Sequence, residues 1–327
     1  MQMTRGNRGV LLVNLGTPEA PTQEALRTYL AEFLWDRRVV DVFRPLWWLI
    51  LHLRILRTRP ARSAALYQKI WTAEGSPLLV MARSQAAALA QALSHGRDQP
   101  VPVVVGMRYG TPSIASGLRE LVAQGCGNVV ALPLFPQYSQ ATTLSAQDAI
   151  LAAVKGWTEA PIVKLVHDYH DHPAYIEALA ASVREAWQES PPGNLLLMSF
   201  HGTPARFRER GDPYAGQCEV TAHLLAQALG LPLEKWRQTY QSRFGREEWL
   251  QPYTDEILDG LARAGTSAVD ILCPGFPADC LETLEEIAAT AAEHFQRAGG
   301  GQLRYIPALG DRPDHIEALA QIIRSHF

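Results

Sequence analysis

Three features are scarce in this sequence: cysteine, recognisable nucleotide-binding motifs and excess positive charge. The four cysteines contain no CxxC pair, so we expect free thiols in a reducing, cytoplasmic setting. The first residues lack the apolar core of a signal peptide. With 30 Lys and Arg against 33 Asp and Glu, the chain lacks the basic character of a nucleic-acid-binding protein. Neither a Walker A motif nor GxGxxG occurs, so nothing indicates a nucleotide site.

What is present indicates a globular protein of two domains. The chain has 327 residues, of which 47% are hydrophobic and 19% charged. Short runs rich in Val, Leu and Ile predict strands, and the Ala-, Leu- and Glu-rich segments between them have helical periodicity. This alternation predicts an α/β fold with parallel strands covered by helices on both faces. We place the domains at 1–150 and 151–327.

The predicted strands are 10–15, 101–107, 128–134, 162–166, 194–199, 236–242, 268–273 and 303–306. The predicted helices are 76–95, 112–124, 142–155, 173–189, 214–229, 254–264, 279–297 and 313–326.

Three predicted strands are followed by Gly-Thr-Pro, at 16–18, 110–112 and 202–204. Glycine permits a tight turn, threonine is a good helix N-cap, and proline suits the first helical position. We therefore expect Thr17, Thr111 and Thr203 to cap helices.

The residues just before these tripeptides are expected to face one crevice. In open parallel sheets, ligands bind beyond the carboxyl ends of the strands. The residues at those ends are Leu15, Arg108 with Tyr109, and His201. A histidine in this place can accept a proton or bind a metal ion near neutral pH. The alternative is that His201 only bonds a nearby carbonyl group, and its position alone does not separate the two.

A row of acidic residues follows the predicted strand 268–273. Its members, at helical spacing on one stripe, are Asp279, Glu282, Glu286 and Glu293. The opposite, apolar stripe consists of Leu281, Leu284, Ala288, Ala291 and Phe295. A solvated helix face explains this pattern. The alternative is that the carboxylates of the first turn, directly after a strand end, handle protons or hard cations.

Two further stretches each permit two interpretations. Residues 166–173, VHDYHDHP, contain three histidines and two aspartates, but their spacing matches no known zinc motif, which favours a solvated loop over a metal site. Residues 43–56, FRPLWWLILHLRIL, are apolar and surrounded by arginines, and they are too short to span a bilayer. This stretch is either a buried helix or an interfacial lip that contacts a membrane or a hydrophobic ligand.

Several blocks, in order along nearly the whole chain, resemble the ferrochelatase family. They are GVLLVNLGTP, EGSPL, GMRYGTPSI, PLFPQYSQATT, SFHGTP, GDPY, YQSRFG and CPGFPADCLETLEE. The resemblance implies insertion of ferrous iron into protoporphyrin IX, the last step of haem synthesis. It also implies two Rossmann-like domains, each a four-stranded parallel sheet flanked by helices, with a cleft between them. The last helix, 313–326, is expected to pack on the first domain.

The resemblance also implies roles for residues at matching positions. It implies that His201 and Glu282 are catalytic and bind the metal, and that Asp279 and Glu286 form a path for protons or metal. The residues that it implies in porphyrin binding are Leu15, Arg108, Tyr109, Tyr138, Trp249 and Phe276.

Some positions depart from the pattern of many relatives. Cys280 stands where many have histidine, and Thr290 interrupts the acidic row. Gln140 follows Tyr-Ser, and no cysteine follows Cys280, so we expect no iron–sulfur cluster and no permanently bound cofactor. The coproporphyrin-using branch carries tyrosine near the position of Leu15, so the resemblance here favours protoporphyrin, a more apolar substrate that the lip at 43–56 could admit.

Two alternatives stay open at this point. One is a cobalt or nickel chelatase that acts on another tetrapyrrole. The other is a non-catalytic tetrapyrrole carrier, which would need neither His201 nor the acidic row.

Overall fold

The computed structural model describes residues 7–327 and contains two sheets of four parallel strands. The first has the order β2-β1-β3-β4, and the second has the order β6-β5-β7-β8. The predicted fold class is therefore confirmed. The strands are β1 Asn7–Gly16, β2 Val103–Tyr109, β3 Cys126–Pro133, β4 Ile162–Leu165, β5 Leu195–His201, β6 Trp236–Gln241, β7 Ala268–Leu272 and β8 Gln302–Tyr305.

Helices connect the strands and cover the sheets. They are α1 Gln23–Trp35, α2 Arg44–Ile50, α3 Leu56–Ile70, α4 Pro77–Ser94, α5 Ile114–Ala123, α6 Ser145–Val154, α7 Pro173–Glu189, α8 Ala205–Glu209, α9 Tyr214–Ala228, α10 Thr254–Arg263, α11 Leu281–Thr283, α12 Ala292–Arg297 and α13 Pro313–Arg324. Segments of π-helix lie at Leu51–Ile55, Gln140–Leu144 and Leu284–Ala291, and a 3-10 turn lies at Leu233–Lys235. The sequence prediction missed α1, α3 and α8.

The chain divides into two compact units. The first contains residues up to 135, 139–168 and 319–327, and the second contains 136–138 and 169–318. Because β4 pairs with β3, the first unit extends beyond the predicted boundary at 150. The end of α13 belongs to the first unit, where Arg324 Nη2 donates to the carbonyl oxygen of Ala92 at 3.0 Å.

Each sheet has its own apolar core, since its central strands are buried on both faces. In the first unit, Leu11 and Val13 of β1 pack with Leu118 and Leu121 of α5. In the second unit, Leu197 of β5 and Ile271 of β7 pack with residues of α10 and α12, among them Leu258 and Phe295. The two sheets thus present their carboxyl ends from rigid platforms.

The threonines after the strands do not cap helices, so that prediction is wrong. The helices begin later, and Thr22 and Ser113 cap α1 and α5. Thr17 is instead buried, with its hydroxyl donating to Ser76 Oγ at 2.7 Å. The glycine of the first tripeptide is required, because Gly16 has φ +123° and a Cβ there would lie 1.9 Å from the Tyr109 carbonyl oxygen.

Residues 43–56 form helical structure that is buried on one side only. Trp47 and Leu51 pack with Leu34 and Leu56 in a small apolar cluster. The large apolar side chains of this stretch that remain exposed are Phe43, Leu46, Trp48, Leu49, Ile50 and Leu53. Among residues 7–327, no helix combines the length and the hydropathy needed to cross a bilayer.

Candidate active site

His201 is the last residue of the central strand β5, and its ring has a defined orientation. Nδ1 lies 2.6 Å from the Gly202 carbonyl oxygen, so we assign the ring proton to Nδ1 as the donor of this bond. The lone pair of Nε2 is then available to accept a proton or bind a metal ion. The His201 carbonyl oxygen accepts a hydrogen bond from Tyr214 Oη at 2.9 Å, which fixes the backbone below the ring.

Gly202 and Trp249 shape the chain directly after His201. A Cβ at Gly202 would lie 2.8 Å from the Gln241 carbonyl oxygen and 3.2 Å from Trp249, so only glycine fits. Trp249 is buried, and its indole N–H has no hydrogen-bond partner within residues 7–327. Phe276, which is half-buried, has its ring centroid 6.4 Å from that of His201.

The loop after β7 carries Asp279 and Glu282. Tyr305 Oη of the neighbouring strand β8 donates to Asp279 Oδ1 at 2.6 Å. Thr283 Oγ1 lies 2.8 Å from the same carboxylate oxygen and accepts from the Cys280 N–H at 3.0 Å. These bonds start α11 at Leu281 and place Glu282 in its first turn, where the helix dipole favours a negative charge.

The predicted helix 279–297 is helical from Leu281 on, but its middle part, Leu284–Ala291, is a π-helix. In a π-helix the hydrogen bonds run from i to i+5, so side-chain positions shift relative to the α-helical stripes. Ile287 is buried, whereas Leu284 and Ala288 of the predicted stripe are not. Glu285 is buried as well. The predicted apolar stripe is therefore only partly correct.

Gln241 links the end of β6 to the start of α11. It is the register partner of His201, and its side-chain amide is buried. Its Oε1 accepts from Ser199 Oγ at 2.8 Å, and its Nε2 donates to the Glu282 carbonyl oxygen at 2.7 Å. One side chain thus ties the strand pair that ends at His201 to the backbone of Glu282.

Glu286 lies one turn beyond Glu282 and is bound by Ser242. The Ser242 N–H and hydroxyl donate to its two carboxylate oxygens at 2.7 and 2.5 Å. Ser242 adopts φ +65°, a left-handed conformation that costs free energy outside glycine and is often found at functional sites. This backbone conformation presents both donors of Ser242 to one carboxylate.

His201, Glu282 and Glu286 interact electrostatically. Burial raises the pKa of Glu286 above its ordinary value, and the negative charge of Glu282 raises it further. The bonds from Ser242 and the positive charge of a protonated His201 act in the opposite direction. The charges of His201 and Glu282 therefore both reach the Glu286 carboxylate.

The cysteines around this cluster are poor nucleophiles. Burial raises the pKa of the Cys280 thiol well above its ordinary value, and Glu282 raises it further through its charge and a hydrogen bond. Burial also raises the pKa of Cys273, next to Asp279 and Glu286. Both thiols are therefore protonated at neutral pH and are not activated nucleophiles.

The remaining predicted site residues have different surroundings. Leu15 and Arg108 lie at the carboxyl ends of β1 and β2 in the first unit, where Tyr109 is buried. Tyr138 belongs to the second unit, and its N–H donates to Gln217 Oε1 at 2.6 Å.

Several residues that hold predicted site residues in place were not predicted. They are Ser199, Gln241 and Ser242 around His201, Glu282 and Glu286, and Asp36 and Ser145 around Arg108. The sequence signal for Ser199, Gln241 and Ser242 was their place in the blocks SFHGTP and YQSRFG.

The chain is similar to proteins of one family. The family model described as Ferrochelatase matches residues 7–327. A curated ferrochelatase of Thioalkalivibrio sulfidiphilus is 52% identical over 315 residues, which cover 96% of this chain and 85% of the relative. One of Vibrio parahaemolyticus is 50% identical over 98% of this chain and 99% of its own. Among solved structures, SirB from Bacillus subtilis with Fe3+ shares the fold, with a TM-score of 0.58 and 12% identity over 98% of this chain and 95% of that one.

Proposed function

The chain belongs to the ferrochelatase family and is a lyase that inserts ferrous iron into protoporphyrin IX, and we propose that His201 and Glu282 are its catalytic pair. One observation carries this proposal. His201 ends the central strand β5, Glu282 starts the helix after the adjacent strand β7, and the charges of both act on Glu286. Two ionisable groups from neighbouring strand ends can therefore act on one bound molecule.

The reaction exchanges two protons for one metal ion. Two pyrrole N–H bonds break, their protons leave, and Fe2+ binds to the four ring nitrogens. A flat macrocycle hinders this exchange, because the N–H groups block its centre. An enzyme that favours a bent ring exposes those nitrogens, and its binding energy is then used in the transition state.

In this proposal His201 Nε2 accepts a pyrrole proton or contacts the metal, while Glu282 does the complementary task. Glu286 is suited to relay protons because its raised pKa brings it nearer to neutral pH. In this proposal Asp279 continues the path for protons or metal beyond the catalytic pair. It also supports the loop by accepting the hydrogen bond from Tyr305. The substrate iron passes these oxygen ligands on its way to the ring.

Porphyrin binding, in this proposal, uses the side chains that the resemblance assigns to it. Arg108 meets a propionate group, since guanidinium and carboxylate form strong paired hydrogen bonds. Tyr109 is buried and its hydroxyl donates to Asp36, so it supports Arg108. The residues proposed to contact the apolar ring are Leu15, Tyr138, Trp249 and Phe276.

We further propose that the enzyme works in the cytoplasm without an iron–sulfur cluster or other resident cofactor. All four cysteines are free and buried, and Cys126 lies in the first sheet, apart in the chain from the three in the second unit. Iron analysis and the absorption spectrum of anaerobically purified protein test this. Acid-labile sulfide in an amount comparable to the protein would contradict the absence of a cluster, because haem contains no sulfide.

The two alternatives draw less support. The likeness to SirB, at 12% identity, concerns the fold alone and gives no reason to assign another metal or tetrapyrrole. A tetrapyrrole carrier would not need a histidine and a carboxylate whose charges both act on Glu286.

Substitution of His201 tests the catalytic pair. We expect His201→Ala to lower the rate of iron insertion at least ~100-fold, the usual contribution of a general base. Its affinity for protoporphyrin, measured by fluorescence, is expected to change little. His223→Ala is the control, because His223 is exposed and bonds only a carbonyl of its own helix, that of Glu219. Insertion by His201→Ala at the parental rate would refute the assignment.

The exposed apolar side chains of 43–53 favour peripheral contact with a membrane of anionic lipid. They occur with Arg37, Arg54, Arg57 and Arg59, all exposed, and this combination matches the requirements of interfacial helices. Co-sedimentation with phosphatidylglycerol and phosphatidylcholine vesicles tests this contact. Phe43→Glu is expected to reduce binding to the anionic vesicles. Leu233→Glu is the control, since Phe43 and Leu233 are both 75% exposed. Equal binding by parent and Phe43→Glu would rule the contact out.

A further inference from the structure

Asp36, which directly follows α1, is the centre of a polar network in the first unit. Its Oδ2 accepts hydrogen bonds from Arg108 Nη2, from the Tyr109 hydroxyl at 2.8 Å and from the Ser145 hydroxyl at 2.6 Å. Its Oδ1 accepts from the Arg38 N–H at 2.7 Å. The side chain is only 7% exposed. Residues from three separate parts of the chain thus meet on one buried carboxylate.

The donors keep Asp36 ionised despite its burial. Burial acts to raise the pKa of Asp36, but the bonds from Ser145, Arg38 and Tyr109 and the charge of Arg108 outweigh it and hold this pKa below its ordinary value. The network therefore contains a permanent negative charge at neutral pH.

This charge fixes the orientation of Arg108. Arg108 Nη2 donates to Asp36, and Nε donates to the Ser145 hydroxyl at 2.7 Å and carbonyl oxygen at 3.0 Å. The guanidinium lies 4.5 Å from the centroid of the Tyr109 ring. Within residues 7–327, Nη1 has no hydrogen-bond partner. One edge of the guanidinium is thus held, and the N–H groups of Nη1 remain for a ligand.

The backbone of Asp36 also begins the turn that leads to the apolar stretch at 43–56. Its carbonyl oxygen accepts from the N–H groups of Val39 and Val40 at 3.2 and 2.9 Å. Arg44, at the start of α2, donates to the Trp35 carbonyl oxygen and stacks 3.9 Å from the Trp35 ring centroid. Asp36 therefore holds Arg108 and the base of this stretch at the same time.

We infer that Asp36 is a positioning residue that holds Arg108 ready for a carboxylate of the substrate and so sets the affinity for acidic porphyrins. The inference rests on the proposed contact of Arg108 with a propionate. A guanidinium whose orientation is fixed beforehand loses less entropy when it binds a carboxylate. Asp36 does not touch the reacting atoms, so the rate at saturating porphyrin does not depend on it.

Removal of the negative charge has two opposing effects. Asp36→Asn removes a repulsion that an incoming carboxylate would feel. It also leaves the largely buried guanidinium of Arg108 without its anion, and such a group turns toward water because an unpaired buried charge is costly. We expect the loss of orientation to dominate, because Arg108 then leaves the position in which Nη1 meets the ligand.

Two porphyrins separate positioning from general structural damage. Protoporphyrin IX carries two carboxylates, and its dimethyl ester carries none. The parent is expected to bind the diacid more tightly than the ester. Asp36→Asn is expected to lose about tenfold in affinity for the diacid, or roughly one hydrogen-bonded charge pair, and little for the ester. In the insertion assay its KM for protoporphyrin IX is expected to rise with kcat nearly unchanged.

The matched control is Asp148→Asn. Asp148 forms an exposed ion pair with Arg38 at 2.7 Å, so the control removes an aspartate charge next to the same segment without touching Arg108. It is expected to keep the parental preference for the diacid. Should Asp36→Asn fold poorly, Ser145→Ala removes one donor of Asp36 and one acceptor of Arg108 and is expected to give a smaller loss in the same direction.

The outcomes discriminate between the inference and its premise. If the parent shows no preference for the diacid, the proposed role of Arg108 fails and the inference fails with it. If the parent prefers the diacid and Asp36→Asn keeps that preference, only the inference is refuted. Equal weakening for diacid and ester also refutes it, because it indicates structural damage alone.

Discussion

The two sheets have the same strand order but differ in what their carboxyl ends carry. At the end of the first sheet, Arg108 is paired with Asp36, so the charges are balanced within the protein. At the end of the second sheet, the hydrogen bonds that Glu286 accepts within residues 7–327 come from the neutral donors of Ser242, and burial raises its pKa. The shared architecture supplies two equivalent platforms, and the proposed chemistry depends on the carboxylate that lacks a paired cation in the second one.

A second aspartate–arginine pair shows what such a pair does when it is purely structural. Asp270 of β7 faces Arg304 of β8 across the sheet, with Nε and Nη2 of Arg304 donating to the two carboxylate oxygens at 2.7 and 2.9 Å. Trp187 and the Gly193 N–H also donate to Asp270. Arg304 also donates to the carbonyl oxygens of Ser190 and Pro191, in the loop that leads into β5, so this pair joins the strands to that loop.

The comparison of the two sheet ends is tested most strongly by Glu282→Gln. We expect the rate of iron insertion to fall by about 10²–10⁴, since the amide cannot take part in proton transfer. The thermal stability is expected to change little, because Glu282 is only half-buried and its carbonyl oxygen, not its side chain, accepts from Gln241. An unchanged pH–rate profile would remove Glu282 from the proton path.

The next largest effect is expected from Gly16→Ala at the end of β1. A Cβ there would lie 1.9 Å from the Tyr109 carbonyl oxygen, so β1 and β2 would have to separate. We expect a loss of about 4 kcal/mol in the free energy of unfolding, at the upper end for single substitutions. Gly75→Ala is the control for strain alone, because Gly75 has nearly the same φ, +121°, and no atom lies within 4 Å of its Cβ position. If Gly75→Ala were as unstable as Gly16→Ala, the loss of stability would come from the positive φ and not from the contact with the Tyr109 carbonyl oxygen.

Asp270→Asn is expected to separate structural from functional pairing. Loss of the charge leaves Arg304 unpaired inside the sheet, which costs about 3 kcal/mol of unfolding free energy. The rate per folded molecule is expected to stay near that of the parent, and affinity for the porphyrin diacid is expected to be retained, in contrast to Asp36→Asn. A melting curve measures the loss of stability. Titration of active protein gives the rate per folded molecule. A selective loss of diacid binding would contradict the distinction between the two pairs.

The smallest effect concerns the pH dependence of stability at Glu286. Because its pKa is raised on folding, its protonated form stabilises the folded protein at low pH, and this contribution is lost as pH rises through the folded-state pKa. Glu286→Gln removes that loss, so the variant is expected to gain stability relative to the parent as pH rises above 4.5. Glu293→Gln, at an exposed position, is the control. A stability difference that does not vary with pH would contradict the raised pKa.

The strands and most helices could be predicted from the sequence because they depend on local patterns. All eight strands overlap the predicted ranges, although β6, WRQTYQ, is not an apolar run, and α7 has the predicted bounds, 173–189. The sequence also contains a short repeat that matches the two similar sheets. The pentapeptide IEALA occurs in both α7 and α13, at 176–180 and 316–320, and these helices follow the last strands of the two sheets.

What could not be predicted depends on contacts between distant parts of the chain. Asp36 appears as an ordinary charged residue until Ser145 and Arg108 are brought to it by folding. Gln241 is likewise recognisable only from its bonds to Ser199 and Glu282. The π-helix at Leu284–Ala291 has no periodic pattern that distinguishes it from an α-helix in sequence, so the buried position of Ile287 was missed.

A double-substitution cycle of His201→Ala and Glu282→Gln tests the central claim most directly, namely that these two side chains act on one bound porphyrin. Iron insertion into protoporphyrin IX is measured for the parent, the two single variants and the double variant under anaerobic conditions. If the groups work as a unit, the double variant is expected to be about as slow as the slower single variant. Rate losses that multiply would show that His201 and Glu282 act independently, and this would contradict the account.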